Sequence, residues 1–117
     1  MLTLITPPDH YYGCDFHILC VALHNEDIDT ITEILHDVKT DVSISVATTE
    51  YNWILRESSH SDLILLDADV FTHPLTGWLI GKQHCYYKGG DSIFLSINHR
   101  QVSNFMQPLS TIFGGKQ

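Results

Sequence analysis

The sequence predicts a three-layer α/β domain built on a short parallel sheet, and three observations carry that reading. Two nearly unbroken apolar runs stand at 16–23 and 63–66, the pattern of strands covered on both faces. Between them lies an apolar stripe of helical spacing. Apolar runs and helical stripes then alternate along the rest of the chain, the βαβ arrangement that builds a parallel sheet with right-handed crossovers.

The elements come in order along the chain. Residues 1–15 read as an N-terminal extension, and 16–23 (Phe-His-Ile-Leu-Cys-Val-Ala-Leu) as the first strand. Ile28, Ile31, Leu35 and Val38, spaced three, four and three, put one apolar stripe along a helix that Asn25 or Asp27 can cap. Val42, Ile44 and Val46 alternate with Ser43 and Ser45, which predicts a half-buried strand near an edge at 42–47. Thr48 or Thr49 can cap a short helix that turns Trp53, Ile54 and Leu55 to the core and ends near Ser58-Ser59. Leu63-Ile64-Leu65-Leu66 is the second apolar run, central beside the first, and it ends in Asp67-Ala68-Asp69.

Pro74 suits the first turn of a helix carrying Leu75, Trp78, Leu79 and Lys82. Gly89-Gly90 breaks the chain before a fourth strand at 92–97. Val102, Phe105, Met106, Leu109, Ile112 and Phe113 give a last helical stripe, stopped by Gly114-Gly115, with Pro108 kinking it or starting its second part. Numbering the four predicted strands along the chain, the simplest sheet order is the flavodoxin-like 2-1-3-4.

At 117 residues the chain suits one domain, 1–117. Apolar residues make up 44% and charged residues 17%, a globular composition without the signature of disorder. The net charge of −8 opposes attraction to phosphate backbones and anionic lipid, so neither nucleic acid nor a membrane is expected as a partner. Cys14, Cys20 and Cys85 form an odd set without CxxC spacing, which fits a reducing compartment rather than a disulfide framework. The first residues lack a basic start and a long apolar core, and no run is long enough to span a bilayer; a cytoplasmic location is expected.

In open parallel sheets ligands lie beyond the carboxyl ends of the strands, where the strand order reverses. That rule selects His24, Asn25 and Glu26 after the first strand, Asp67 and Asp69 after the third, and Ser96, Asn98 and His99 at the fourth. The competing reading is that they cap helices and form turns. In Thr76-Gly77-Trp78-Leu79-Ile80-Gly81-Lys82, two glycines four apart allow close approach of a phosphate or sugar, or tight packing on the sheet with Trp78 in the core. The spacing is neither GxGxxG nor a Walker pattern, and no cofactor is expected. Cys14, His17, Cys20 and His24 follow no common zinc spacing, and alternation sends strand neighbours to opposite faces; core and surface roles are preferred to a metal site. Tyr11-Tyr12 and Tyr86-Tyr87 read as amphipathic packing residues, with stacking on a base or contact with a partner as the alternative for an exposed pair. No GxSxG elbow is present, and no nucleophile has an assignable triad.

The segment Ser61-Asp62-Leu-Ile-Leu-Leu-Asp67-Ala-Asp69, followed by Thr76-Gly77-Trp-Leu-Ile-Gly81-Lys82, resembles the nucleoside 2-deoxyribosyltransferase-like superfamily over roughly residues 50–98. There an aspartate-ended strand leads into a helix bearing a T-G/A-x-E-x-G motif. The resemblance implies a nucleoside-deoxyribosyltransferase-like three-layer sandwich, with Asp67 and Asp69 facing a nucleoside or nucleotide and Thr76, Gly77 and Gly81 at the helix start. Leu79 stands where the family has its nucleophilic glutamate, and a leucine cannot form a glycosyl ester. The resemblance therefore implies a ligand-binding descendant without a catalytic residue. Similar short proteins occur in tailed bacteriophages, which implies a phage accessory protein in the host cytoplasm.

The chain also resembles a response-regulator receiver, through the run ending in Glu26-Asp27, then Asp62-Leu-Ile-Leu-Leu-Asp67 and Phe-Leu-Ser96. Asp67 would match the phosphoacceptor and Ser96 the hydroxyl, while the acid pair is shifted and no fifth strand with its lysine comes after. This alternative implies a pseudo-receiver interaction module that binds a host or phage protein, and both readings leave room for a homo-oligomer.

Overall fold

A computed structural model of the protein describes residues 2–9, 13–36, 38–67, 70–71, 73–80, 85–89, 93–96 and 101–102. Among these residues the elements are, in order, β1 (Leu2–Ile5), β2 (Phe16–Val21), α1 (Asn25–His36), β3 (Val42–Ala47), α2 (Tyr51–Ser58), β4 (Leu63–Asp67), α3 (Leu75–Ile80), β5 (Cys85–Gly89), β6 (Ile93–Ser96) and β7 (Gln101–Val102). They form an α/β fold with one sheet in the order β1-β3-β2-β4-β5-β6-β7, parallel from β1 through β5.

The two apolar runs are adjacent central strands, with Ile18 beside Leu63 and Val21 beside Leu66. Both faces of these strands are covered, so alternation cannot appear in their sequences. On one face Ile18, Cys20, Val42, Ile44, Leu63 and Leu65 pack against Ile31 and Leu35 of α1. On the other, Leu19, Val21, Ala47, Ile64 and Leu66 pack against Trp53 and Ile54 of α2 and Leu79 of α3. The division has its cause in topology: β2 to β3 and β3 to β4 step in opposite directions across the sheet, and right-handed crossovers then place their helices on opposite faces. Each fully buried Leu or Ile contributes about 1.5–3 kcal/mol.

The sheet order departs from 2-1-3-4 at both ends. Residues 2–5 are not an extension but a parallel edge strand beside β3, with Leu2 opposite Val42. The indole Nε1–H of Trp53 ties down the segment after β1 by donating to the Asp9 carbonyl at 2.7 Å. β3 is therefore flanked on both sides, and Ser43 and Ser45 are buried rather than facing water.

At the other end, Cys85–Gly89 is a parallel strand that the sequence pattern does not announce, because it is short and runs into the Gly89-Gly90 break itself. The predicted fourth strand is β6, antiparallel to β5 with Ile93 opposite Gly89. So short a connection cannot make the crossover a parallel pair requires. Val102, placed at the head of the last predicted helix, pairs with Phe94 in β7; the remainder of that helix lies outside the described residues.

Helix α2 buries Trp53 and Ile54 as expected but leaves Leu55 exposed, with Glu57 turned inward instead. No threonine caps it: Glu50 occupies the cap position. Among the described residues no helix is long and apolar enough to cross a membrane.

Candidate functional site

The carboxyl ends of β3 and β4 carry the loops that begin α2 and α3. At the tip of β4, Asp67 is 2% exposed. Its Oδ1 accepts from the Val70 amide at 3.3 Å, and its carbonyl accepts from the Phe71 amide at 2.9 Å. The carboxylate thus closes the turn after its own strand, the role short polar residues commonly take there. Thr76 donates its hydroxyl to the Phe71 carbonyl at 2.9 Å and holds the same turn against α3.

Gly77 is exposed, and a side chain there would meet open space, so close packing is not what it provides. Trp78 beside it is 51% exposed rather than in the core, while Leu79 is 0% exposed. Position 79 thus faces the apolar layer between α3 and the sheet. Tyr87 packs against that same layer. Ser96 does not join Asp67. It ends an antiparallel strand opposite Tyr86, at the level of Leu65, with β5 lying between β6 and β4. Asp69, Gly81 and Asn98 lie outside the described residues. His24, Asn25 and Glu26 are at the start of α1, with the His24 carbonyl accepting from the Ile28 amide.

An open cleft of about 570 Å³ lies at this end of the sheet, lined by Thr49, Glu50, Tyr51, Asn52, Trp53 and His73. The cleft lies beyond the strand ends that the rule selects, but it is built mainly from the loop after β3. Glu50 Oε1 accepts from the amides of Thr48 at 3.1 Å and Thr49 at 3.2 Å. These bonds, the one from Thr48 foremost, hold its carboxyl below the usual range.

His73 stacks on Tyr51 with ring centroids 3.9 Å apart and planes 17° from parallel, and Phe71 meets Tyr51 at a tilt. The His73 Nδ1 accepts from the Leu75 amide at 3.0 Å, so a neutral ring carries its proton on Nε2. The cleft thus offers a carboxylate, a carboxamide, a phenol and a stacked aromatic pair; among the described residues none that lines it is Lys or Arg.

A second polar cluster lies at the opposite end of the sheet, beneath α2. Its position is a product of strand alternation, since His17 on β2 shares a face with Ser43 and Ser45 on β3. The Ser43 Oγ is 2.6 Å from His17 Nδ1, and the Ser45 Oγ is 3.2 Å from His17 Nε2. The Ser45 hydroxyl donates to Glu57 Oε1 at 3.3 Å, and that oxygen stands 3.5 Å from His17 Nε2. Cys14 Sγ, partly exposed, lies 3.0 Å from Ser43 Oγ and donates to the Phe16 carbonyl at 3.0 Å.

Burial pushes the His17 pKa below its ordinary value of 6.5, against the raising influence of Glu57 and Asp62. Asp62 also clamps the backbone of His17: its Oδ2 accepts from the His17 amide at 2.9 Å, and its own amide donates to the His17 carbonyl at 2.8 Å.

Sequence reasoning passes over this cluster because alternating serines read as a solvent-facing edge. The one available signal is the pair of polar residues inside apolar context, His17 in its run and Glu57 in the helix after Ile54. Among the described residues no three His, Cys, Asp or Glu side chains are placed to hold a metal ion. Cys20 lies on the opposite sheet face from His17, against α1.

No protein-family model, curated protein or solved structure matches the chain.

Proposed function

We propose that the protein is a ligand-binding domain whose cleft takes an uncharged nucleoside-class molecule and performs no glycosyl transfer on it. The observation that carries this reading is the pairing of a stacked aromatic surface, Tyr51 on His73, with the Glu50 carboxylate in one open cleft. Planar bases stack on such surfaces with about 1–3 kcal/mol each. A carboxylate accepts hydrogen bonds from sugar hydroxyls or base amino groups. The same carboxylate, in a chain of net charge −8 and with no lysine or arginine among the described residues that line the cleft, repels a phosphate. A nucleoside therefore fits better than a nucleotide.

Thermal-shift measurements with nucleosides and their 5′-monophosphates test the proposal. A nucleoside should raise the melting temperature by mass action, and its monophosphate should do so less. Glu50→Gln and Tyr51→Ala should each reduce the shift. A monophosphate that stabilises as well as its nucleoside, or a panel in which none stabilises, overturns it.

A protein-partner reading has one specific observation in its favour. Tyr51 and Leu55, four residues apart on α2, are both exposed, and Trp78 is exposed on α3, which packs beside α2. Four-residue spacing puts the first two on one helix face. If a second copy of the chain covers that face, sedimentation will show a concentration-dependent dimer that Leu55→Asp abolishes. Phe71, next to this face in the turn before α3, is buried and adds nothing to it.

A further inference from the structure

Hydrogen-bonding polarity in the cleft is fixed at two points. Glu50 Oε1 accepts from the amides of both Thr48 and Thr49, which occupies its two lone pairs and leaves Oε2 as the oxygen a ligand meets. Those bonds, the one from Thr48 foremost, hold the carboxyl below the usual range and so ionised at neutral pH. Oε2 therefore accepts and does not donate. At His73 the sign is opposite, because Nδ1 accepts from the Leu75 amide and a neutral ring then presents Nε2–H as a donor. The Tyr51 hydroxyl and the Asn52 carboxamide, which also line the cleft, each carry both a donor and an acceptor and suit either kind of partner.

On the nucleoside reading of the cleft, on which this step rests, we propose that Glu50 selects bases carrying an exocyclic amine, adenine and cytosine, over their oxo counterparts hypoxanthine and uracil. The amine of adenine or cytosine directs an N–H outward in the plane of the ring, and the ring nitrogen beside it is an acceptor. Amine towards Oε2 and ring nitrogen towards a donor match the polarity of the cleft. Hypoxanthine and uracil carry a carbonyl oxygen in place of that amine. Against Oε2 it sets one acceptor on another, and neither is satisfied.

Sugar hydroxyls compete for the same oxygen, and two features favour the base. Glu50 immediately precedes Tyr51, whose ring carries the stack with His73 at 3.9 Å. Its carboxylate is also fastened by two backbone amides. Stacking fixes the plane of a base, so a rigid donor meets a rigid acceptor, whereas a rotating hydroxyl needs no such fixation. Guanine is not served in the same way: a carboxylate grips its paired N–H groups with both oxygens, and Oε1 is already taken.

Calorimetric titration of the full chain with two matched pairs, adenosine against inosine and cytidine against uridine, tests the proposal. Each pair differs only at the amine and the adjoining ring nitrogen. The amino member of each should bind about tenfold more tightly, the size of one hydrogen bond to a charged group. In Glu50→Gln the carboxamide can turn to donate or accept, so that ratio should fall to about twofold or less. The wild-type comparison needs no variant to fold. Equal affinities within both pairs, tighter binding of the oxo members, or a tenfold ratio that persists in Glu50→Gln overturns the proposal and leaves the nucleoside reading standing. Binding by none of the four overturns the nucleoside reading itself, and the proposal with it.

Discussion

His17 Nε2 and Glu57 Oε1 lie 3.5 Å apart with both side chains withdrawn from solvent. They come from a central strand and from the helix that covers it, so the pair fastens α2 to the sheet at a place where that interface is polar rather than apolar.

The burial of His17 makes stability depend on pH, with a definite sign. Burial lowers the folded-state pKa of His17 below 6.5, opposed by Glu57 and Asp62 and assisted by His60. The unfolded chain therefore takes up a proton that the folded chain refuses. Its contribution is fully present above the unfolded value and is lost as pH falls from about 6.5 towards the depressed folded value. Urea unfolding between pH 8 and pH 5 should show the midpoint falling across that window, and His17→Gln should flatten the fall. An unchanged slope in the variant would assign the effect to another group.

A double-mutant cycle measures the pair itself. His17→Leu removes the imidazole that bridges Ser43 and Ser45 beside the enclosed Glu57 carboxylate and should cost about 1–3 kcal/mol. Glu57→Leu strands the Ser45 hydroxyl and should cost about 1–3 kcal/mol. The double variant should lose less than the sum, since two apolar side chains pack against one another. Strict additivity in denaturant titrations would show that the two groups are not coupled.

Gly77 lies on an exposed helix face with room for a side chain. Gly77→Ala should stabilise the protein by about 0.5–1 kcal/mol, the difference in helical preference between the two residues. A destabilised variant in thermal unfolding would mean that something not apparent in the fold packs there.

Position 79 distinguishes a lost active-site carboxylate from a core residue. Leu79 is completely buried in the apolar layer that also holds Phe71 and Leu66. Leu79→Glu should therefore unfold the protein or destabilise it by several kcal/mol, on the order of burying an unpaired charge, and it should not create nucleoside base exchange. A stable variant with transferase activity in a base-exchange assay would refute this placement.

The sequence by itself determined the parts of the fold whose information is local. The runs at 16–21 and 63–66 are apolar at every position but His17, which identifies central strands covered on both faces; the spacing of Ile31 and Leu35 identifies a helix lying along one of them. From these the end of the sheet that holds a cleft could also be inferred.

What only the tertiary structure decided is which polar residues face inward. Alternation at 42–47 says that the two faces of β3 differ, but not that the serine face is dry. That depends on β1, far away in sequence, closing one side of the strand and on Glu57 arriving from α2 to satisfy His17 and Ser45. The cleft has the same origin. Asp67, which the strand-end rule selects, closes its own turn, and Glu50 and His73 line the cleft because two separate loops bring them together. Burial of a polar group is settled by the partners it meets, and those partners are supplied by the fold rather than by the residue's neighbours in sequence.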